Sequence, residues 1–197
     1  MSLLNEEKTI LDLCGGTGGW SKPYVDAGYA VLVVDLNEWQ DGPGVDVRQF
    51  EHMGEVYGVL AAPPCTDLSG SGAQYWKKKD IEYDALRTAL AVADACIRIS
   101  VLHRATFWAL ENPVGRLRRF YGEPTYIFNP HNHGDPYTKK TLLWGQFNTP
   151  QRHEVEPVRS NKQGSWLQSL GGKSDKTKML RSQTPAGFAR DFFEANK

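Results

Sequence analysis

A cysteine stands where the backbone is stiff on one side and flexible on the other. Cys65 ends the stretch AAPPC, and the two prolines before it fix φ and restrict the preceding backbone. A Gly/Ser loop, 69–72, follows and is expected to move and to close over a bound molecule. A thiol aimed in this way is a candidate nucleophile. The alternative is an inert, buried cysteine that packs as a small hydrophobe.

A carboxyl group is the candidate partner of this thiol. Glu111 and Asn112 end an apolar stretch in ALENP, and no histidine is close in sequence to Cys65. A carboxyl beside a thiol can protonate a ring nitrogen while the sulfur adds to the adjacent conjugated carbon. The alternative is that Glu111 and Asn112 only cap the end of a strand.

A glycine-rich turn is the candidate cofactor site. In DLCGGTGG (12–19) backbone N–H groups can approach a ligand beside the start of a helix, although such turns also serve packing. Asp35 ends the next apolar stretch, where an acid binds ribose hydroxyls in many nucleotide sites. It could equally be a surface residue or a helix cap. A phosphate-binding P-loop is excluded, because no Gly-Lys-Ser/Thr follows the turn.

Alternating strand and helix patterns position these residues. The predicted strands are 9–14, 29–36, 57–65 and 106–113, with helices at 21–28 and at 80 to about 103. This alternation is typical of an α/β protein with a doubly wound, mostly parallel sheet. Because ligands bind outside the carboxyl ends of such strands, the glycine turn, Asp35, Cys65 and Glu111 should converge on one edge.

The apolar pattern also predicts which faces are buried. Strand 29–36 is almost wholly apolar, as expected when helices cover both faces of the sheet. The helix that starts at residue 80 has one apolar face. Its members are Ile81, Ala85, Ala89, Val92, Cys96 and Ile99.

From residue 120 onward the alternation stops. The stretch 126–145 is predicted to be loop and strand, with a possible hairpin, and 146–182 is polar and basic. A helix is predicted at 184–197, with Thr184 as its N-cap and Pro185 at its first position.

Composition limits the class of protein. The 197 residues can bury one core, and no apolar run approaches the roughly 18 residues that span a bilayer. Three cysteines at unrelated spacings indicate neither a disulfide framework nor a zinc site, which favours the cytoplasm. The N-terminus does not have the basic start and long apolar stretch of a signal peptide. We expect a monomer. The net charge is zero, but it is unevenly distributed, because residues 113–197 contain 14 Lys/Arg against 7 Asp/Glu. This basic part could bind a polyanionic partner or could be a solvated surface.

Several motifs together resemble those of a known family. ILDLCGGTGGW, DLNEW, PPC and ENP resemble, in order and spacing, the motifs of DNA (cytosine-5)-methyltransferases, and most closely the compact phage-type members. The similarity continues more faintly through YTKKTLLWG and TPAGFARDF. The specific part is PPC followed some 46 residues later by EN, after a glycine-rich opening motif.

The resemblance implies a fold, a reaction and a site. The fold would be a Rossmann-like methyltransferase fold that binds S-adenosylmethionine, and the reaction methylation of cytosine C5 in DNA, in a phage or bacterial setting. Cys65 would add to cytosine C6, Glu111 would hold and protonate N3, and Lys140 would complete the catalytic set. Asp35 would bind the ribose and Asp46 the adenine of the cofactor.

The remaining site residues follow from the same resemblance. The cofactor-binding residues would be Asp12, Gly15, Gly16, Thr17, Gly18, Gly19, Trp20, Asp35, Leu36, Asp46, Val47 and Pro63. The substrate-binding residues would be Pro64, Ser69, Gly70, Asn112 and Lys139.

The sequence departs from the family pattern at two places within these motifs. Cys14 occupies the position where the family has an aromatic residue that stacks on the cofactor, a surface that Trp20 or Trp39 could supply instead. YTKKT stands in place of an arginine motif that contacts the target base, so Lys139 or Lys140 would replace the arginine. A lysine ammonium cannot donate the two parallel hydrogen bonds of a guanidinium.

The region that reads DNA sequence in the family is reduced here. The predicted division is a cofactor-binding catalytic domain at 1–145, a reduced target-recognition region at 146–182 and a helix at 183–197 that returns to the catalytic domain. The middle region has 7 Lys/Arg against 3 Asp/Glu, which suits phosphate contact and predicts weak or short sequence specificity.

Other functions remain open at this point. The chain could methylate RNA or a free cytidine nucleotide, or it could be a non-catalytic module with a methyltransferase fold that binds DNA or cofactor. Intact Cys65 and Glu111 disfavour the non-catalytic module. The tripeptide HNH (131–133) matches a nuclease name by chance, because nucleases of that kind space their metal-binding residues far apart.

Overall fold

Six strands of the described residues form a single sheet. The structure, a computed structural model, describes residues 4–37, 44–158 and 180–197. The strands are β1 (Thr9–Leu13), β2 (Ala30–Val34), β3 (Gly58–Ala61), β4 (Phe107–Pro113), β5 (Tyr126–Phe128) and β6 (Thr141–Gln146). Their order in the sheet is β2-β1-β3-β4-β6-β5.

The first four strands in that order are parallel neighbours, whereas β6 is antiparallel to both β4 and β5. The predicted α/β class with a mostly parallel sheet is therefore confirmed. The stretch 126–145 contains β5 and the start of β6, which pair as expected for a hairpin.

Helices pack on both faces of the sheet. They are α1 (Lys22–Asp26), α2 (Ala73–Tyr83), α3 (Ala85–Leu102), α4 (Arg118–Tyr121) and α5 (Ala186–Ala195). Helix α3 packs on one face, where Cys96 and Ile99 meet Leu11 and Leu110. Helices α1 and α5 cover the other face, where aromatic side chains dominate the core. Burial of these two apolar layers holds the sheet in place.

The long helix predicted from residue 80 is two helices. Asp84 separates α2 from α3 and has a left-handed backbone, with φ 51° and ψ 38°. Aspartate tolerates this conformation better than most residues, so the chain can turn there without glycine. The consequence is that Ile81 lies on the exposed helix α2, whereas Ala85, Cys96 and Ile99 are buried on α3 as predicted.

Two further expectations are wrong in detail. Strand β2 lies at the edge of the sheet and its side chains are only partly covered, with Leu32 40% exposed. Helix α5 begins at Ala186 with Pro185 as its N-cap residue, so Thr184 is not the cap. Most of the predicted recognition region, 146–182, lies outside the described residues.

The sheet topology brings the predicted site residues to one edge. The carboxyl ends of β1, β3 and β4 lie side by side, so the glycine turn after β1, the Pro-Pro-Cys segment after β3 and Glu111-Asn112 in the last part of β4 meet at one edge. Because β6 is antiparallel to β4, the residues just before Thr141 lie at the same edge. In the described part of the chain no helix combines the length and apolarity needed to cross a bilayer.

Candidate active site

Cys65 begins a tight turn just beyond strand β3. Its carbonyl oxygen accepts hydrogen bonds from the N–H groups of Leu68 at 3.0 Å and Ser69 at 2.8 Å. Before the cysteine, Pro63 is buried and Pro64 is exposed. The prolines and the turn fix the backbone on both sides of the thiol, which is only partly buried.

The loop after this turn is not the flexible flap that its Gly/Ser composition predicts. Ser69 forms a β-bridge with Gly115, and the N–H of Gly70 donates to the carbonyl oxygen of Val114 at 2.8 Å. A Cβ atom on Gly115 would lie 1.9 Å from the carbonyl oxygen of Leu68. The segment 68–70 therefore packs closely against 114–116, beyond the end of β4.

Glu111 and Asn112 lie near the end of β4 with different roles in the packing. Asn112 is buried, and its amide donates to the carbonyl oxygen of Pro63 at 2.9 Å, which ties β4 to the Pro-Pro-Cys segment. Its Oδ1 atom is buried without a partner. Glu111 accepts no hydrogen bond from the described residues, and burial raises the pKa of its carboxyl.

The charge of Lys139, and not that of Lys140, acts on the thiol and the carboxyl. This positive charge lowers the pKa of both Cys65 and Glu111. The ammonium group of Lys139 donates to the carbonyl oxygen of Arg181 at 3.2 Å. Lys140 is exposed, and its charge has no resolved effect on either group. The place of Lys140 in the catalytic set therefore gains no support from these electrostatics, and Lys139, which is predicted to bind the substrate, is the lysine whose charge acts on both groups.

The three groups form one electrostatic cluster. Burial raises the pKa of the Cys65 thiol, the negative charge of Glu111 raises it further, and Lys139 opposes both effects. In the free protein the thiol is therefore held protonated at neutral pH. Loss of the Glu111 charge, for example when its carboxyl is protonated, would make the thiolate easier to form.

The glycine turn between β1 and α1 is open on one side and closely packed on the other. A Cβ atom on Gly16, whose φ is 54°, would meet no heavy atom within 4 Å. A Cβ atom on Gly15 would lie 2.5 Å from Cγ of Asp12. A Cβ atom on Gly19 would lie 3.9 Å from Oγ1 of Thr17 and 4.0 Å from Cβ of Thr184, which precedes α5. Only glycine fits the packed side, and the open side leaves space for a ligand.

Asp12 is a buried carboxyl with an unused acceptor. Its Oδ2 accepts a hydrogen bond from the hydroxyl of Ser21 at 2.5 Å, while Oδ1 is buried without a partner. Burial raises the pKa of Asp12 to about 6, against the lowering effect of Ser21. A buried oxygen with no donor is a favourable position for a donor on a ligand.

Asp35 lies against the same turn. Its carboxylate accepts hydrogen bonds from the N–H of Gly16 at 3.0 Å and from both the N–H and the amide of Asn37 at 2.9 Å. A carboxylate offers about four acceptor positions, so capacity for a ribose hydroxyl remains. Leu36 beside it is 64% exposed and presents an apolar surface next to the turn.

Asp46 and Val47 follow the break in the described residues. Val47 is buried, and both carboxylate oxygens of Asp46 accept hydrogen bonds from the Arg48 side chain. The pKa of Asp46 is lowered, and the hydrogen bonds from the Arg48 side chain are the largest cause. An adenine amino group would have to share this carboxylate with Arg48.

Of the two aromatic candidates for stacking on a cofactor, only Trp20 lies within the described residues, and it supplies no such surface. Trp20 is 2% exposed and packs against Phe188 and Phe192 of α5, so the prediction that it stacks on a cofactor is wrong. Trp39 lies outside the described residues. Cys14 has a left-handed backbone, with φ 56°, and packs against the core where it contacts Cys96.

Arg116 is the largest feature of the site that the sequence did not reveal. Its guanidinium makes a bidentate pair with Asp80 of α2 at 2.6 and 3.0 Å and lies 4.7 Å over the ring of Trp76. Its Nε donates to the carbonyl oxygen of Asp67 at 2.7 Å. In the sequence Arg116 is only an arginine shortly after ENP, and no helix or strand pattern there indicates that its side chain is buried.

Comparison with known proteins agrees with the motifs. No family model matches the chain. A protein of Frog virus 3 (isolate Goorha) named "Probable DNA (cytosine-5)-methyltransferase" is 26% identical over 152 residues, which are 73% of this chain and 68% of that protein.

A solved structure also resembles the chain. A candidate DNA modification methyltransferase encoded within an E. coli prophage has a TM-score of 0.50 and 16% sequence identity, over 85% of this chain. The match spans 56% of that protein's length and shows a shared fold. The resemblance of this chain to the DNA (cytosine-5)-methyltransferases is therefore confirmed, by a homologue that carries the family name and by a fold shared with a methyltransferase structure.

Proposed function

We propose that the chain transfers a methyl group from S-adenosylmethionine to C5 of cytosine in DNA, in the cytoplasm of a bacterial or phage-infected cell. The observation that carries the proposal is the cluster of Cys65, Glu111 and Lys139 at one edge of the sheet, where the charges of Glu111 and Lys139 both act on the thiol. A protein that only bound DNA would need neither the thiol nor the unpaired carboxyl. The homologue named as a DNA (cytosine-5)-methyltransferase supports the same reaction.

The types of the three residues suit addition to a pyrimidine. Cytosine C5 is too weak a nucleophile to take a methyl group unaided. The Cys65 thiol loses its proton to solvent, and its sulfur bonds to C6 while Glu111 holds a proton at N3 and the ring electrons shift toward C5. After methyl transfer, C5 gives its proton to water, the C5–C6 double bond re-forms, and the C6–S bond breaks with release of the Cys65 thiolate.

The electrostatics of the cluster link thiol activation to the substrate. Glu111 raises the pKa of Cys65 only while its carboxyl is charged. When the Glu111 proton is shared with N3 of cytosine, Lys139 is left as the nearest charge that favours the thiolate. The thiol thus becomes reactive in the presence of the base, and stays protonated without it. Lys139 would also bind the substrate, as the resemblance implies.

The edge beside β1 and β2 fits S-adenosylmethionine. Gly16 leaves open space at the turn, the buried Oδ1 of Asp12 lacks a donor, and Asp35 retains acceptor capacity beside the exposed Leu36. These residues would hold the amino-acid and ribose groups, and Asp46 with Val47 would contact the adenine. When bound, the cofactor supplies an electrophilic methyl group on sulfonium. The residues of the chain fix its position and exclude water.

DNA is proposed as the substrate on the strength of the resemblance. A base in a duplex has to be flipped out of the stack to reach Cys65. The basic region 146–182, most of which lies outside the described residues, would contact phosphates and give affinity with little sequence reading.

Covalent trapping tests the proposal most directly. Duplex DNA of mixed sequence with 5-fluorocytosine is incubated with the protein and S-adenosylmethionine, since fluorine at C5 prevents release of the thiol. We expect a protein–DNA adduct that survives denaturation, with mass spectrometry placing the bond at Cys65. Cys65→Ser should form none, and Cys96→Ser should form as much as the unmodified protein.

A second assay distinguishes the substrates. Tritiated S-adenosylmethionine is incubated with matched DNA, RNA and cytidine nucleotides, and label in one of them identifies the acceptor. Label in RNA or nucleotide alone would correct the substrate. Binding of cofactor or DNA without label in any acceptor would show a non-catalytic module and overturn the proposal.

A further inference from the structure

Arg116 is a buried arginine whose guanidinium makes three hydrogen bonds. Its side chain is 5% exposed, although arginine is almost never buried unless it is paired. The guanidinium is bonded to the Asp80 carboxylate and the Asp67 carbonyl oxygen and lies over Trp76. Burial of this charge requires all of these bonds to be maintained together, because a missing partner would leave the charge uncompensated.

The partners of Arg116 lie in two other segments, so its side chain joins three segments of the chain, two of which are also joined by the pair between Lys79 and Asp67. Asp67 is in the turn that begins at Cys65, and Asp80 and Trp76 are in α2. Arg116 itself follows Glu111 by five residues, beyond the end of β4. None of the residues of α2 is buried, so ionic and cation–π contacts hold this helix against the protein.

The contacts of Arg116 reach the backbone of the Cys65 turn directly. Its N–H donates to the carbonyl oxygen of Leu68 at 2.9 Å, in addition to the bond from Nε to Asp67. The N–H of Leu68 in turn donates to the carbonyl oxygen of Cys65. The turn is thus bonded on its outer side to Arg116, while Asn112 is bonded to Pro63 on the strand side.

We propose that Arg116 is a positioning residue that fixes the Cys65 turn and helix α2 relative to Glu111. The inference rests on the proposed function, since positioning matters for a nucleophile and its proton donor. The planar guanidinium of Arg116 donates two N–H groups to the Asp80 carboxylate and a third to the carbonyl oxygen of Asp67. A lysine ammonium cannot reproduce this geometry. Asp80 is a positioning residue because it forms the ion pair with Arg116. The more exposed pair between Lys79 and Asp67 adds a weaker link between α2 and the Cys65 turn.

The test compares Arg116→Lys, Arg116→Met and Asp80→Asn with Arg118→Met. Arg118 is the matched control, because it lies on α4 in an exposed bidentate pair with Glu123. We measure kcat and KM for DNA methylation, the affinity for S-adenosylmethionine and the thermal midpoint. We expect kcat to fall about tenfold or more in the three site variants, since a small misplacement of a reacting group can cost about 100-fold. Cofactor affinity should stay within about twofold, and Arg118→Met should match the unmodified protein.

A readout that does not need activity is the pH profile of Cys65 alkylation by iodoacetamide, with the site assigned by mass spectrometry and Cys65→Ser as a blank. Burial raises the pKa of this thiol. Release of the turn should hydrate the sulfur, so alkylation should become faster and its midpoint should move to lower pH in the site variants. Asp80→Asn, which keeps its shape, serves where Arg116→Met does not fold.

The outcomes are separable. An unchanged alkylation profile in folded Arg116→Lys and Asp80→Asn overturns the positioning role, even if the thermal midpoint falls. A shifted profile in a protein that methylates nothing supports the positioning role and overturns the proposed function. Equal kcat in Arg116→Lys, Asp80→Asn and the unmodified protein also overturns the positioning role.

Discussion

Two carboxylates in this molecule lie in protected surroundings and behave in opposite ways. Glu111 at the sheet edge accepts no hydrogen bond from the described residues, and burial raises the pKa of its carboxyl. Asp191 on α5 accepts hydrogen bonds from His133 and His153, each at 2.9 Å, and from Arg190. Burial would raise the pKa of Asp191, but these three donors outweigh it and lower the pKa.

The difference separates a site from a structural contact. The donors around Asp191 use its acceptors and fix α5 to the segment that contains His133. His133 has its second ring nitrogen 3.2 Å from the hydroxyl of Tyr126, and burial lowers its pKa, so this histidine of the HNH tripeptide is part of the packing. No described residue uses the acceptors of Glu111, which the proposed function assigns to the substrate base. We therefore expect Glu111 variants to change activity and Asp191 variants to change stability.

The largest expected effect is on activity in Glu111→Gln. Glutamine keeps the shape of the side chain but cannot supply a proton to N3 of cytosine. General acid catalysis contributes about 10²- to 10⁴-fold, so kcat should fall by that factor. Tritium transfer to DNA measures it, and the thermal midpoint should not decrease. If Glu111→Gln retained the activity of the unmodified protein, Glu111 would be a strand-end residue without a chemical role.

The next effect is on stability in Asp191→Ala. Removal of this carboxylate leaves the buried ring N–H of His133 without its acceptor, and an unsatisfied buried donor costs about 1–3 kcal/mol. Urea unfolding should show this decrease in the free energy of unfolding. Glu194→Ala on the same helix is the control, since its pair with Lys197 is exposed and contributes less than about 1 kcal/mol. Equal losses in the two variants would contradict the structural role of Asp191.

Asp12 has features of both carboxylates, because Ser21 uses one oxygen and the other is unpaired. Its pKa is raised from 3.8 to about 6, so between these pH values the folded chain keeps a proton that the unfolded chain has lost. Stability from this group is present below pH 4 and is lost as the pH rises to about 6. Asp12→Asn should flatten this dependence and raise the free energy of unfolding at pH 7 by up to about 3 kcal/mol.

The same substitution should weaken binding of S-adenosylmethionine, since a neutral amide replaces a carboxyl beside the glycine turn. Urea unfolding between pH 3.5 and 7, together with calorimetric titration of the cofactor, would test both effects. Asp26→Asn is a suitable control, because Asp26 is an exposed residue paired with Lys22. A pH dependence that persisted in Asp12→Asn would assign it to other groups.

The sequence predicts those parts of the site that depend on strand order. Apolar runs that end in glycine, proline or a polar residue mark the ends of β1, β3 and β4, and parallel pairing then brings Cys65 and Glu111 to one edge. Local patterns do not identify residues that act through distant partners. Arg116 meets Asp67 and Asp80 only after three segments have packed.

Two predicted site residues show the same physical limit. Trp20 lies just after the glycines and could replace the stacking residue that Cys14 lacks, but the position of α5 buries its ring against Phe188. The choice between Lys139 and Lys140 depends on which side of the chain faces the thiol just before β6. Adjacent side chains before a strand point to different sides, and the sequence around them is too short to show which side is buried.

The smallest expected effect distinguishes these two lysines. Lys139 lowers the pKa of both Cys65 and Glu111, so Lys139→Met should raise both and move the alkylation profile of Cys65 to higher pH. Lys140→Met, one residue away and exposed, should leave the profile unchanged.

Glu111→Gln should move the alkylation profile of Cys65 to lower pH, because the charge that disfavours the thiolate is removed. The sign of each shift follows from charge alone, since methionine and glutamine approximate the volumes of the residues they replace. A shift in Lys140→Met with none in Lys139→Met would reverse the assignment, and shifts of equal sign in Lys139→Met and Glu111→Gln would contradict the electrostatic cluster itself.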